Sequence, residues 1–369
     1  MQPLSLTTIA LTFACAVSAA QAQGTAYVSS EKDHALTLID LTTLAVKGTI
    51  ATCKRARHVQ ITPEGKIMVA CTDSNQADII DPATAKSLRR IPLGQEPEAF
   101  DISPDAKIIY VSNEDEGVLA FVDAATGKTL KTVKVGKEPE GVIVSADGKT
   151  VYVTSEVASM VHVIDTATAK VTKNIKVGKR PRRMALTPDG KELWVTNELD
   201  ASVSIVSTAD HSVIGSIRFE VKGARAADIT PVGIQMTRDG KRAFVGLGRA
   251  NHVAFVDVAS RKVTHQVLVG KRPWNVMLDK AQARLFVVNG LSDDVTVALI
   301  GGGFAGLITG ARLAQAGITD VRLIEKGGAA RPQPLVIANC DSTDDQHEGQ
   351  RQDLKRCGHG KLLTVSAPH

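Results

Sequence analysis

Short segments in which apolar and polar residues alternate recur along most of this chain, and they predict β-strands rather than helices. Val161-His-Val-Ile164 is typical, because it alternates and is rich in β-branched residues. The segments come in groups of four, separated by turn residues, from about residue 26 to about residue 298. Self-similarity at a period of roughly 42 residues is the sequence sign of a repeat architecture.

Aspartates at the end of the third segment fix the register of this repeat. They occur at Asp40, Asp81, Asp123, Asp165 and Asp257, with Ser207 in the fifth unit. Asp147-Gly148 and its equivalents join the first and second segments, and Asp-Gly suits a two-residue type I′ hairpin. Four antiparallel strands per unit, repeated radially, make a β-propeller. The predicted fold is therefore all-β, a seven-bladed β-propeller over residues 23–297.

The first and seventh units are incomplete. Residues 26–52 supply only the second, third and fourth strands of unit one, and ring propellers commonly take the missing strand from the C-terminus. Later units start near residues 57, 97, 139, 181, 231 and 273, and an insertion of about eight residues before Pro231 is either a flap over the channel or a surface loop. Unit seven has three predicted strands, Trp274–Leu278, Leu285–Val288 and Asp294–Val297, so its blade is expected to lack the fourth.

A glycine-rich segment replaces the end of the seventh unit. Residues 298–328 predict a strand, a turn, a helix and a second strand, with G-x-G-x-x-G at Gly301, Gly303 and Gly306 and an acidic residue, Glu325, closing the second strand. This is the dinucleotide-binding fingerprint in its βαβ context. A single Rossmann-like βαβ unit is only a fragment of such a domain, so FAD is a possible cofactor but a vestigial site is the expectation.

The junction suggests how this fragment joins the propeller. Residues 295–300 can serve as the third strand of blade seven, and residues 321–326 as a substitute edge strand. The remaining residues, 329–369, are polar, have no sustained period and predict an irregular or disordered tail.

The N-terminus predicts export. Residues 4–20 are apolar and Ala20-Gln21-Ala22 is a small-x-small cleavage site, so residues 1–22 are interpreted as a signal peptide of a periplasmic protein. No other segment is expected to span a membrane. In the blade register, Cys53 and Cys71 lie on the same face, and an exported protein permits a disulfide there. The alternative is two small buried thiols.

Composition narrows the function classes. The chain has 369 residues and a net charge of +5, with basic and acidic residues interspersed, which does not favour nucleic-acid binding. Aromatic residues make up 4%, so the core is expected to consist mostly of Val, Ile, Leu and Ala. The histidines are scattered and no Ser-His-Asp spacing stands out, so neither catalytic nor metal-ligating residues are predicted.

Charged loops should meet at one mouth of the central channel, because each leads from a fourth strand into the next first strand. Function commonly lies on such loops. The arginines would bind carboxylate or phosphate groups, a histidine would titrate near neutral pH, and a tryptophan would offer a stacking face. The alternative is that the glutamates and arginines pair with each other as solvated ion pairs of little energetic value. The candidate residues from these loops are Arg57, His58, Glu98, Glu140, Arg182, Arg183 and Trp274, and the loops between second and third strands on the same face add Asn113 and Asn197.

Tyr110-Val-Ser-Asn113, Leu193-Trp-Val-Thr-Asn197 and Phe286-Val-Val-Asn289 resemble YVTN-type β-propeller repeats over residues 26–298. Cys53 with Cys71, Lys179-Arg-Pro-Arg182 and the insertion before Pro231 are similar to one subgroup, the exported propellers associated with pyrroloquinoline-quinone (PQQ)-dependent alcohol catabolism. Residues 298–328 resemble the FAD-binding N-terminus of Baeyer–Villiger-type flavin monooxygenases.

The resemblance implies a periplasmic binding or scaffold protein without catalysis of its own. Its implied partners are a quinoprotein dehydrogenase or a cytochrome c, and the protein is expected to be a monomer. Two enzyme alternatives stay open: a haem- or lactone-handling propeller, and an FAD-dependent oxidoreductase fragment fused to a propeller.

Overall fold

Seven small β-sheets, arranged in chain order around a central channel, make up the part of the protein that the computed structural model describes, residues 24–300 and 321–324. The first strands of successive sheets contact each other from blade two to blade seven, so they line the channel and are called inner strands below. The predicted signal peptide and the predicted tail lie outside the described residues, as do Gly301, Gly303, Gly306 and Glu325.

The first four blades follow the predicted order, and their strand ends differ from the expected ones by about one residue. Their strands are β1 (Thr25–Ser30), β2 (Ala35–Asp40) and β3 (Val46–Ala51) in blade one; β4 (Ala56–Ile61), β5 (Ile67–Cys71), β6 (Gln76–Asp81) and β7 (Lys86–Pro92) in blade two; β8 (Pro97–Ile102), β9 (Ile108–Asn113), β10 (Val118–Asp123) and β11 (Thr129–Lys134) in blade three; and β12 (Pro139–Val144), β13 (Thr150–Ser155), β14 (Met160–Asp165) and β15 (Lys170–Lys176) in blade four.

Blades five to seven continue the series. Their strands are β16 (Pro181–Leu186), β17 (Glu192–Asn197), β18 (Ser202–Ser207) and β19 (Val213–Arg218) in blade five; β20 (Pro231–Met236), β21 (Arg242–Leu247), β22 (His252–Asp257) and β23 (Lys262–Leu268) in blade six; and β24 (Pro273–Leu278), β25 (Arg284–Asn289), β26 (Asp294–Ile300) and β27 (Val321–Ile324) in blade seven. Single 3-10 turns span Thr72–Ser74, Glu198–Asp200 and Ala226–Asp228.

Aliphatic side chains fill the spaces between blades. Between blades two and three, for example, Met68 and Ala70 pack against Phe100, Ile102 and Val111. These residues sit at alternate strand positions, so each strand buries one row of side chains against the preceding blade and the other row against the following one. Burying one such side chain contributes about 1.5–3 kcal/mol.

The turn between first and second strands differs from the expected type I′ hairpin. Gly148 has a φ of 71°, but Asp147 is not in the left-handed region. The Gly148 N–H donates to the Ser145 carbonyl at 2.8 Å, and the Ser145 hydroxyl donates to the Asp147 carboxylate at 2.6 Å. This is a type I turn followed by one left-handed glycine. The Asp-Gly pair is needed because the aspartate accepts a local hydrogen bond and the glycine alone takes positive φ.

Blade seven has four strands rather than the expected three, because β27 takes the edge position, and blade one has three strands among the described residues. The strand β26 extends to Ile300, so residues 295–300 do form the third strand of blade seven. Its outer neighbour is β27, which pairs with it in parallel, whereas the other paired strands of the described residues are antiparallel. Arg284 of blade seven donates a hydrogen bond to the Leu41 carbonyl of blade one. Blade one has three strands among the described residues, and its inner strand is not one of them.

A disulfide joins Cys53 to Cys71, with 5.6 Å between their Cα atoms. Cys53 follows the last strand of blade one and Cys71 ends the second strand of blade two, so the bond links two neighbouring blades. Among the residues described, no helix is long and apolar enough to cross a membrane.

Candidate ligand site at the channel mouth

The loops that connect one blade to the next present charged residues at one end of the channel, called the upper mouth. Five of these residues have φ between 48° and 59°, a left-handed conformation in which glycine is the least strained residue. Each non-glycine residue there costs roughly 1 kcal/mol. The chain therefore keeps charged side chains where a smaller residue would be easier to accommodate. They are Arg55, Glu96, Glu138, Arg180 and Arg272.

Arg182 is the centre of the network in the upper mouth. It is 6% exposed and forms an ion pair with Glu156; its Nη2 lies 3.5 Å from Glu140 Oε1 and its Nε 3.7 Å from Glu198 Oε2. Glu198 also pairs with Arg272, at 3.1 Å. All three glutamates are at most 5% exposed. The opposed charges do pair with each other, as the alternative interpretation held, but the pairs are buried rather than solvated.

A second group of ion pairs lies on the blade two side of the mouth. Arg57 pairs with the fully buried Glu98 and approaches Glu31 at 3.5 Å. Glu96, Glu98 and Glu114 bring carboxylate oxygens within 4.8 Å of one another, a spacing that a cation would accept. Guanidinium groups meet this charge instead, because Arg57 pairs with Glu98 and Arg55 lies 3.5 Å from Glu96.

The two buried carboxyl groups Glu98 and Glu140 have opposite pKa shifts. Burial, with the neighbouring Glu140, raises the pKa of Glu98 to about 9 despite the nearby Arg57. Burial also acts to raise the pKa of Glu140, but Arg182 and Arg183 outweigh it and lower that pKa to about 2. The same burial therefore has opposite outcomes at these two carboxyl groups, because Glu140 has two arginine neighbours whereas Glu98 lies beside Arg57 and a second glutamate.

His58 does not have the near-neutral pKa expected from sequence. Burial, together with the charge of Arg183, lowers the pKa of His58 to about 3. Its ring packs edge-on against Phe100, with 4.7 Å between ring centroids. The imidazole is therefore neutral at physiological pH and is available as a hydrogen-bonding group rather than as a charge.

Trp274 does not offer a free stacking face of the kind expected. Two guanidinium groups lie over its ring, those of Arg272 at 4.6 Å and Arg182 at 5.5 Å from the centroid. Gly290 lies against the indole so closely that an added Cβ would collide with it. The indole thus stabilises the arginine network through cation–π contacts.

Asn113 and Asn197 are structural residues, which corrects their assignment to the ligand-binding surface. Both are fully buried. The Asn113 side-chain amide donates to the Leu93 and Gln95 carbonyls at 2.9 and 3.1 Å, and that of Asn197 donates to the hydroxyls of Ser202 and Ser204. Both hold the loops around the mouth in place and cannot reach a ligand without leaving those partners.

Sequence reasoning did not single out Glu31 and Glu114, although both belong to the charged mouth. The available signal was positional, because a glutamate follows the second strand directly in blades one, three, four and five.

The sequence also gave no indication of a cavity of ≈ 540 Å³, which borders residues near the ends of four inner strands, including Ile143, Met184 and Met236.

The insertion before Pro231 is anchored rather than open. Its residues Phe219, Val221 and Ile229 are buried in the cluster shared by blades five and six. Its short turn, Ala226–Asp228, contacts the turn Glu198–Asp200 beside the mouth. The insertion therefore supports the wall of the mouth. It is neither the flap over the channel nor the surface loop that the sequence left open.

Comparison with known proteins supports the fold and gives a partial family relationship. Residues 165–303 match the family model described as Lactonase, 7-bladed beta-propeller. The chain is a seven-bladed β-propeller. Hydrazine synthase from Kuenenia stuttgartiensis is similar in structure, with a TM-score of 0.68 and 23% identity, over 75% of this chain and 92% of that chain. A functionally unknown protein from Desulfotomaculum acetoxidans gives a TM-score of 0.63 and 17% identity, over 75% and 93%.

A different relationship is confined to a short stretch. A Baeyer-Villiger monooxygenase from Streptomyces coelicolor is 58% identical over 36 residues, which is 10% of this chain and 6% of the monooxygenase. This match is short and covers only a small part of the monooxygenase, so it gives no information about the activity of the propeller.

Proposed function

We propose that this protein binds a small carboxylate-bearing molecule in its upper mouth and serves as a binding component of quinoprotein-linked oxidation outside the cytoplasm. The supporting observation is Arg183. Its Nη2 pairs with Glu140 at 3.1 Å, whereas its Nη1 is buried without a hydrogen-bond partner among the described residues. A buried N–H donor without a hydrogen-bond partner lowers the stability of the folded state. A carboxylate oxygen is the acceptor that forms the strongest hydrogen bond with a guanidinium N–H.

A second hydrogen-bonding group lies near Arg183. Arg183 is the third residue of its inner strand, and His58 holds the equivalent position in blade two. The neutral imidazole of His58 adds a donor or acceptor without adding charge.

Export is supported by the disulfide between blades one and two, since such bonds persist in oxidising compartments. The predicted signal peptide agrees with it. The link to quinoproteins and cytochromes c rests on the resemblance of residues 26–298 to the PQQ-associated propellers.

The test uses PQQ, a planar tricarboxylate, and citrate as a non-aromatic tricarboxylate, with calorimetry to measure binding. We expect at least one probe to bind to the mature protein, and Arg183→Gln to weaken that binding by roughly tenfold or more, since a charged hydrogen bond is worth about 1.5–3 kcal/mol. Arg218→Gln is the matched control, because that side chain is 72% exposed on an outer strand. Equal binding by the two variants, or no binding of either probe, would refute the proposal.

Lactone hydrolysis is the second candidate, and the family match over residues 165–303 favours it. Burial raises the pKa of Glu156 to about 7, against the opposing effects of Arg182 and Arg180. A carboxyl group with that pKa suits a general base, and the arginines beside it suit a developing oxyanion. A pH-stat assay with glucono-δ-lactone and an acyl-homoserine lactone separates the candidates. Turnover that Glu156→Gln abolishes supports hydrolysis, and no turnover leaves binding as the function.

A further inference from the structure

A cavity lies at the end of the channel opposite the upper mouth and is called the lower cavity below. The inner strands begin at the upper mouth, and the cavity borders the other ends of those in blades three to six. Its volume of ≈ 540 Å³ is in the range of small-molecule sites. Most of its lining side chains are apolar, among them Ile143, Met184 and Ile234. The residues that line it do not include Arg183, so it is separate from the proposed carboxylate site.

Polar side chains at the fifth position of an inner strand accept a hydrogen bond from the next blade. Asp101, the fifth residue in blade three, accepts from the Val144 N–H, the sixth residue in blade four, at 2.9 Å. Gln235, the fifth residue in blade six, accepts from the Leu278 N–H of blade seven at 2.5 Å. The fifth position of one blade thus supplies the acceptor for the sixth-position N–H of the following blade.

This acceptor is missing where the lower cavity lies. The fifth residues of blades four and five are Ile143 and Ala185, whose side chains cannot accept a hydrogen bond. The N–H groups that would have used them belong to Leu186 and Met236, and neither has an acceptor among the described residues. Both residues line the lower cavity. Its apolar wall therefore contains two unused backbone donors.

Both N–H groups point toward the channel rather than into their own sheets. The residue after Leu186, Thr187, donates its N–H to the Glu192 carbonyl of its own second strand at 2.9 Å. Thr237, which follows Met236, makes the same bond in blade six. Consecutive N–H groups along a strand point to opposite edges. The two donors therefore lie on the open edges of the inner strands, where a molecule in the cavity can reach them.

The charged groups in the wall of the lower cavity balance each other. Arg238 contributes one guanidinium group, and Asp101 contributes one carboxylate. Both oxygens of Asp101 already accept hydrogen bonds, and Arg238 donates to the Lys280 carbonyl at 2.6 Å. An occupant of the cavity therefore meets apolar side chains and two neutral donors, and it needs an acceptor more than it needs a charge.

We propose that the lower cavity binds a small neutral molecule that has an apolar body and one carbonyl oxygen, such as an aliphatic ketone. The carbonyl oxygen has two lone pairs and accepts from the N–H groups of Leu186 and Met236. The apolar body packs against Ile143, Met184 and Ile234. The flexible thioether of Met184 adapts to apolar groups of different shape.

An NMR titration of the isotope-labelled mature protein with methyl hexyl ketone tests the proposal. The backbone amide resonances of Leu186 and Met236 should shift as the ketone is added, because their N–H groups gain an acceptor. The amides of Val144 and Leu278 are matched controls within the same protein. They hold the same strand position but already have acceptors, so they should shift less.

The variant Ile143→Gln supplies the missing acceptor for one of the two donors. Its amide oxygen can accept the Leu186 N–H in the way that Gln235 accepts the Leu278 N–H. The ketone should then bind roughly tenfold more weakly, since it loses a hydrogen bond and meets a polar wall. The matched control is Ile143→Leu, which conserves volume and adds no acceptor, so binding should stay within about twofold of the parent.

The remaining outcomes overturn the inference. If the ketone does not bind, or if it shifts the four amides equally, the two N–H groups do not hold a carbonyl oxygen. Equal binding by Ile143→Gln and Ile143→Leu means that apolar contact alone retains the ketone. Tighter binding of octanoate than of the ketone means that the site selects a charge. Ketone binding that Arg183→Gln weakens and Ile143→Gln does not is binding in the upper mouth, which contradicts this inference and leaves the proposed function standing.

Discussion

Removing Arg182 tests whether the buried ion network contributes to the free energy of unfolding of the propeller or has no effect on its stability. Arg182→Met keeps much of the side-chain volume and removes the charge. At an effective dielectric constant of about 20, the attractions to Glu140 at 3.5 Å and to Glu198 at 3.7 Å are about 4–5 kcal/mol each. The desolvation of a buried guanidinium offsets much of this, so we expect a net loss of about 3–5 kcal/mol at pH 7.

The pH dependence of this loss distinguishes electrostatics from packing. The pKa of Glu140 is lowered to about 2 from its ordinary value of 4.5, which corresponds to roughly 3 kcal/mol of stability at neutral pH. This contribution is fully present above pH 4.5 and is lost as the pH falls toward 2. In Arg182→Met the largest of the arginine effects that lower the pKa of Glu140 is absent, so the variant should lose less stability than the parent as the pH falls. The gap between variant and parent should therefore narrow on acidification.

Urea unfolding at pH 7 and at about pH 3, with the disulfide intact, measures both effects, because the contribution of Glu140 is lost between pH 4.5 and pH 2. Arg182→Lys should fall between the parent and Arg182→Met, because it keeps the charge but not the planar fork. Arg218→Met is the matched control: it removes an exposed arginine 3.9 Å from Asp200 and should cost no more than about 0.5 kcal/mol. If Arg182→Met costs no more than Arg218→Met at pH 7, the reasoning is wrong.

Three further predictions concern the disulfide, a glycine and the histidine. Replacing Cys53 by Ser should lower the free energy of unfolding by about 2–4 kcal/mol, because the bond to Cys71 closes a loop with a sequence separation of 18; an unchanged urea midpoint would contradict this. Gly141→Ala should cost about 1–3 kcal/mol, because its Cβ would collide with a backbone carbonyl of the next blade, whereas Gly215→Ala should cost less, because its Cβ meets only the flexible end of an arginine side chain. Urea unfolding of the two variants measures the difference, and equal costs would refute the steric argument. The His58 imidazole should not titrate between pH 5 and pH 8 in NMR spectra, since its pKa is lowered to about 3; a titration near pH 6.5 would show that the ring is solvated.

The sequence was sufficient for the architecture because the strand pattern is local. Alternation and the aspartate register located the blades, and Asp40, which was predicted to end the third segment of its unit, is the last residue of β2. The same periodicity predicted that residues 26–52 supply no first strand to blade one, and blade one has three strands among the described residues. It also predicted that residues 295–300 can serve as the third strand of blade seven, which is confirmed. The type I′ turn was predicted wrongly, because the aspartate side chain stabilises a different local turn.

The state of each charged group at the mouth depends on residues far apart in the chain, and the tertiary structure alone decided it. Arg182 meets Glu140 and Arg272 meets Glu198 across 42 and 74 residues of sequence. Burial then sets the balance between desolvation and pairing, which makes His58 neutral and separates the pKa values of Glu98 and Glu140. Asn113 carries an amide that could bind a ligand, but the side chain is fully buried and holds a loop in place instead. Sequence determines which residues reach the mouth, and packing determines which of them keep a free hydrogen-bonding group.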